Sequence, residues 1–109
     1  MLLFQLLIGH AVADYWGQSG DMARGKNRHN VPMNVPPGQV PKALWWHWLT
    51  AHALIHAGAV LVVTGSVWLG LAELVLHWCI DFAKCENWTG PTQDQLLHVA
   101  CKVLWSVLV

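Results

Sequence analysis

The chain has 109 residues, 55% of them apolar and 11% charged, with six basic and six acidic side chains in balance. That length makes a single domain, residues 1–109, and the balanced charge leaves no net field to attract nucleic acid. A mean hydropathy of +0.39 is high for a soluble protein of this size and points to a membrane class.

In chain order, residues 2–18 (LLFQLLIGHAVADYWGQ) form a first apolar helix, at the short end of what spans a bilayer. Ala11-Val12-Ala13 resembles a small-residue cleavage site, but no basic region precedes Leu2, so the segment is expected to be retained. Residues 19–42 contain four prolines and three glycines, which break any helical period and predict a polar, Pro-rich loop. Residues 43–63 make a second helix, with Trp45, Trp46 and Trp48 at headgroup level. Thr64-Gly65-Ser66 is a tight turn, and residues 67–85 return antiparallel as a third helix. Thr92 is a candidate N-cap after Pro91, opening a fourth helix over 92–109. The expected fold is therefore all-α, a membrane-embedded four-helix bundle. Cys79, Cys85 and Cys101 form no C-x-x-C pair and read as reduced thiols.

The chemistry lies in a spacing. His10/Asp14/Gln18, His52/His56, Glu73/His77/Asp81 and Asp94/His98 each place polar side chains four apart in apolar sequence. Residues four apart share a helix face, so each helix carries a polar stripe that must face another stripe or water. Asp21 and Glu86 are left as the ordinary solvated acids. An ionisable group at the bilayer centre costs roughly 2.5–3.5 kcal/mol on insertion scales, and a bound cation offsets that cost by turning carboxylates and neutral imidazoles into ligands. His10, Asp14, His52, His56, His77, Asp81 and His98 are the candidate metal ligands, with zinc, iron or manganese the fitting divalent ions. Glu73 or Asp94 is the candidate general base, and Lys84 or Lys26 would stabilise a phosphate charge. Lys102, one turn beyond His98, would snorkel or pair within the bundle. His29 and His47 lie outside the stripes and are not expected to be ligands. Trp68, Trp78 and Trp105 read as packing or lipid-facing residues.

Arg24, Lys26, Arg28 and Lys42 lie in the first loop and Lys84 beside the second, so both loops are expected to be cytoplasmic, with the termini outside. The stripes would then converge in the cytoplasmic half, with His10, Glu73 and His77 as a deeper layer.

The order His-x3-Asp-x3-Gln, a lysine after a turn, Ala-His-Ala-Leu-Ile-His, Glu-x3-His-x3-Asp-x2-Lys and Asp-Gln-x2-His spans nearly the whole chain. It resembles the small bacterial and phage membrane proteins of domain of unknown function family 3307. The matching positions are His10, Asp14, Gln18, Lys26, His52, His56, Glu73, His77, Asp81, Lys84, Asp94, Gln95 and His98, while the proline-rich stretch at 30–41 departs from the pattern. The resemblance implies a multi-helix protein of the bacterial inner membrane and brings no activity with it. A looser likeness to membrane-bound metal-dependent hydrolases is analogy only.

Three readings follow. The first is a metal-dependent hydrolase acting on a lipid or phosphoester at the cytoplasmic interface. The second is a di-iron or haem oxidoreductase, which lacks the denser histidine clusters expected of membrane desaturases. The third is a non-enzymatic membrane subunit, alone, as a homo-oligomer or in a larger assembly, whose polar network fixes helix packing, binds a partner, or handles protons or metal ions.

Overall fold

A computed structural model of the chain describes residues 1–30, 37–38 and 44–109. Among these there are five helices: α1 (Leu2–Tyr15), α2 (Gly20–Gly25), α3 (Trp45–Thr64), α4 (Val67–Cys85) and α5 (Pro91–Leu108). Most of the proline-rich stretch, with Lys42 and the expected start of the second long helix at residue 43, lies outside the described residues.

The four long helices close into a ring in which α1 packs on α3, α3 on α4, α4 on α5, and α5 back on α1. The short helix α2 rests against α3. Its presence corrects the expectation of an unbroken loop from 19 to 42. Ser19 caps it, with its hydroxyl oxygen accepting from Met22 N–H at 3.1 Å, and Asp21 and Arg24 complement its dipole at the two ends. At its end Gly25 lies under the Trp48 indole. A Cβ there would sit 2.5 Å from the ring, so only glycine permits this approach.

The helix ends also differ from expectation. The first helix stops at Tyr15 because Trp16 and Gly17 both donate to the Val12 carbonyl, at 2.8 and 3.1 Å, which turns the chain out of the helix before Gln18. The α3–α4 turn is as expected: Gly65 takes the left-handed conformation, with φ of 69°, and the Ser66 hydroxyl oxygen accepts from Leu69 N–H. The last helix is capped at Gly90 rather than Thr92. Pro91 occupies the first helical position, where its missing N–H costs nothing, and Gln93 Oε1 accepts from Gly90 N–H at 2.9 Å.

The interior is stacked in tiers. Leu6, Val60 and Trp105, with Leu2, Val63, Leu69, Ala72 and Cys101 around them, form an apolar plug at one end. Beyond the plug the centre is polar: His10, His52, His56, Glu73, His77, Asp81, Asp94, His98 and Lys102 are all buried. The outside is the reverse, with Phe4, Ile8, Val62, Trp68, Val75 and Val107 among many exposed large apolar side chains. Among the described residues α3 is the one helix long and apolar enough to cross a membrane, and α1 is apolar but shorter.

Candidate metal centre

Each stripe keeps its register because four-residue spacing holds one helix face, except at Gln18, which lies beyond the end of α1. The ring turns all four faces inward, and two carboxylates gather the imidazoles. Asp14 Oδ1 lies 2.8 Å from His56 Nε2 and 3.7 Å from His52 Nε2, and its Oδ2 lies 3.3 Å from His10 Nε2. Asp81 accepts from three directions: Lys26 Nζ at 2.7 Å, His52 Nε2 at 3.1 Å and His98 Nε2 at 3.1 Å. Asp81 thus ties α3, α5 and the segment after α2 to α4. The rings crowd together, with His56 stacked on His77 at 3.7 Å between centroids and His77 tilted against His98 at 4.2 Å.

Among the described residues, two sets of side chains have the geometry to hold a metal ion. Asp14, His52, His56 and His77 form one and His77, Asp81 and His98 the other, and in each set the donor atoms lie within 4.8 Å of one another. Six of the seven expected ligands fall in these sets. His10 does not; its Nε2 faces Asp14 and, at 3.3 Å, Gln95 Oε1. Donors around a tetrahedral ion at 2.0–2.1 Å are separated by roughly 3.3 Å, so the four-residue set needs only a modest contraction. His77 Nε2 is buried and, among the described residues, without a hydrogen-bond partner. It is common to both sets, and a single nitrogen lone pair holds a single ion.

A second network lies deeper. Glu73 Oε1 accepts from Lys102 Nζ at 2.5 Å and from His77 Nδ1 at 3.1 Å, and Glu73 Oε2 accepts from Trp105 Nε1 at 2.6 Å. Lys102 is 1% exposed, so it pairs inside the bundle rather than snorkelling. Trp105, read from sequence as packing or lipid-facing, is a buried donor to this carboxylate as well as part of the plug. Both belong to the network that sequence reasoning left out, although Lys102 continues the Asp94/His98 spacing by one more turn. Both oxygens of Glu73 are engaged here. Asp94, the other expected base, is buried beside His98 Nε2 at 3.4 Å and Lys84 Nζ at 3.7 Å, and its Oδ1 has no hydrogen-bond partner among the described residues.

At the end opposite the plug, a polar cavity of about 250 Å³ is bounded by Asp14, Gln18, Lys26, Asp81, Lys84 and Asp94. Two lysines therefore meet the metal-capable carboxylates at one opening. Just past the end of α4, Arg28 makes a two-point contact with Glu86, and His29 Nε2 lies 3.2 Å from Glu86 Oε2. Glu86, expected as a solvated acid, is thus paired, and the Arg28 guanidinium holds its carboxyl below the usual carboxylate range. His29 stays outside both metal-capable sets, as expected. Cys79, Cys85 and Cys101 are free thiols.

The family described as "Protein of unknown function (DUF3307)" matches residues 2–109. The chain belongs to that family. Comparison with curated proteins and with solved structures finds no match. For this DUF3307 member the site geometry is thus the guide to chemistry.

Proposed function

We propose that this protein is a membrane-embedded, metal-dependent hydrolase that cleaves a phosphoester at the cytoplasmic face of a bacterial inner membrane. The membrane reading rests on inversion: the apolar side chains line the outside and the ionisable ones the inside, the reverse of a water-soluble bundle. Glu73 and Asp81, which lower the hydropathy of α4, are buried in the centre and never meet lipid. Arg24, Lys26, Arg28 and Lys84 cluster at the cavity end, which the positive-inside rule makes cytoplasmic.

One observation carries the hydrolase reading. Asp14 is both a donor in the four-residue metal set and a wall of the cavity that holds Lys26 and Lys84. Asp81 is already neutralised by Lys26, whereas the ion-pair partners of Asp14 among the described residues are all imidazoles. The Asp14, His52, His56 and His77 set is therefore the better host for zinc, iron or manganese. A divalent ion there supplies Lewis acidity and an activated water. In such a hydrolysis the water oxygen would bond to phosphorus as the ester P–O bond broke, and the proton taken from the water by the general base would be returned to the leaving oxygen. Asp94, on the cavity wall beside His98 and Lys84, is placed to accept the proton from the water, and Lys84 to balance phosphoryl charge.

The test is elemental analysis of purified protein alongside turnover of phosphoester lipids. We expect about one ion per chain, since His77 serves both sets, with His77→Ala depleted of metal and Asp14→Asn folded but inactive. Metal-free wild-type protein that folds normally overturns the centre. That outcome would favour a non-enzymatic bundle held by its polar network, for which the Glu73, Lys102 and Trp105 contacts, complete without any ion, are the specific support.

A further inference from the structure

The last turn of α1 and the residues after it form a ridge between two unlike spaces. Asp14, Tyr15 and Gln18 border the polar cavity. Ala13, Trp16 and Gly17 border an apolar groove of about 480 Å³ between α1 and α3, continued by Val12, Ile55 and Gly58. That volume is in the range of about 300–1,000 Å³ typical of small-molecule sites. The groove runs from Gly9 to Gly17, of which the helical part to Tyr15 is about 9 Å long at 1.5 Å per residue. Gly58 keeps it open: a Cβ built there meets nothing within 4 Å.

The charge in the cavity depends on the metal. Lys26 and Lys84 against Asp14, Asp81 and Asp94 leave one net negative charge, which repels an anion. A divalent ion on the Asp14 set turns this into one net positive charge. Lys26 is committed to Asp81, while Lys84 is about half exposed and 3.7 Å from Asp94, so Lys84 is the cation able to turn towards a head group. Gln18 also borders the cavity, and its Oε1 is a buried polar atom without a hydrogen-bond partner among the described residues.

We infer that the substrate is a lipid with a phosphate head: the head enters the cavity after the metal, and one acyl chain lies over the α1 ridge in the groove. This inference rests on the metal-centre reading, because the head site becomes positive only when an ion is held. Lipid chemistry, rather than a water-soluble phosphate, follows from the adjacency of polar cavity and apolar groove across a single turn of helix.

The experiment compares dioctanoyl phosphatidic acid with glycerol 3-phosphate, each titrated into zinc-loaded protein in maltoside micelles, with zinc uptake measured first. Wild type should bind the lipid at least tenfold more tightly than the soluble phosphate. Gly58→Leu, which fills the groove without a backbone clash, should erase that difference and leave glycerol 3-phosphate binding unchanged. Val62→Trp, at another groove residue that is exposed, should do the same and serves if Gly58→Leu does not fold. Lys84→Met should weaken both probes, and so should zinc removal. Equal binding of the two probes by wild type, or an undiminished lipid preference in both groove variants, overturns the inference while leaving the metal centre standing. Absence of zinc uptake in wild type sinks the metal-centre reading itself, before any lipid is added.

Discussion

His77 Nδ1 lies 3.1 Å from Glu73 Oε1, one helical turn away on α4, and this contact decides which imidazole nitrogen faces the centre. With its Nδ1 proton donated to Glu73, His77, which belongs to both metal-capable sets, presents a lone pair at Nε2, an atom without a hydrogen-bond partner among the described residues. Such partners fix the tautomer and the ring orientation, and losing one typically costs 10–100-fold in metal affinity. In the proposed metal centre the role of Glu73 would therefore be to position His77. Removing Glu73 alone strands Lys102 as a buried charge, at a cost of about 3–5 kcal/mol. The informative variant is thus Glu73→Leu with Lys102→Met, which replaces the pair with apolar groups of similar size. It should stay folded, bind zinc 10–100-fold more weakly, and lose the Nδ1–H tautomer of His77 in nitrogen-15 spectra. An unchanged tautomer with unchanged zinc affinity would show that Glu73 does not act through His77.

The proposed membrane topology gives a second expectation. A cysteine placed at Asn30, an exposed residue at the cavity end, should react with impermeant maleimide only after cells are opened, in a background lacking the three native thiols. A cysteine at Val109, at the far end of α5, should react from outside. Labelling of Asn30→Cys in intact cells would invert the orientation and move the proposed chemistry to the other face.

Most of the centre was legible because spacing by four survives translation into structure without change. Each of His10, Asp14, His52, His56, Glu73, His77, Asp81, Asp94 and His98 is on an inward face, and the residues at which the long helices begin and end shift by only a few positions. What spacing could not show is which stripe meets which at a given height. Glu73 looked like a free base because its partners, Lys102 and Trp105, are on α5, far away in sequence, and only the antiparallel return of that helix brings them together. The short helix α2 was hidden for a different reason. Its signals, a serine cap and an acidic first turn, occupy six residues beside a proline-rich stretch whose composition dominates any longer window. Glu86 looked solvated because its partners Arg28 and His29 lie across a loop connection that has no periodicity.

The Arg28–Glu86 contact should respond to acid. Hydrogen bonding from Arg28 lowers the Glu86 pKa from its ordinary value of 4.5. A carboxylate whose folded pKa is depressed stabilises the fold above its unfolded value, and that contribution is lost as pH falls through the folded value. The contact should therefore hold at neutral pH and open only below about pH 4.5. Amide exchange at Asn27, Arg28 and His29, followed from pH 6 downwards, should accelerate over that window, beyond the intrinsic pH trend. In Arg28→Gln the acceleration should move to higher pH. Identical profiles in the two proteins would mean that the contact does not hold the loop.

Gly25 and Trp48 offer the sharpest test of how α2 serves the site. A methyl group at residue 25 would be 2.5 Å from the indole ring, so Gly25→Ala must push the end of α2 away from α3. Lys26, the next residue, then withdraws from Asp81, its partner at 2.7 Å, and leaves a buried carboxylate with imidazoles alone. Breaking a buried pair in this way costs about 3–5 kcal/mol, so Gly25→Ala should lower the melting temperature well beyond the change expected for an exposed glycine. Trp48→Leu makes room for the methyl group, and the double variant should regain most of the loss. Lys26→Met should reproduce the destabilisation without touching the Gly25 contact, and Trp48→Leu should not rescue it. If Gly25→Ala melts like wild type, the α2 contact does not hold Lys26 in place, and the lysine must reach Asp81 by its own flexibility.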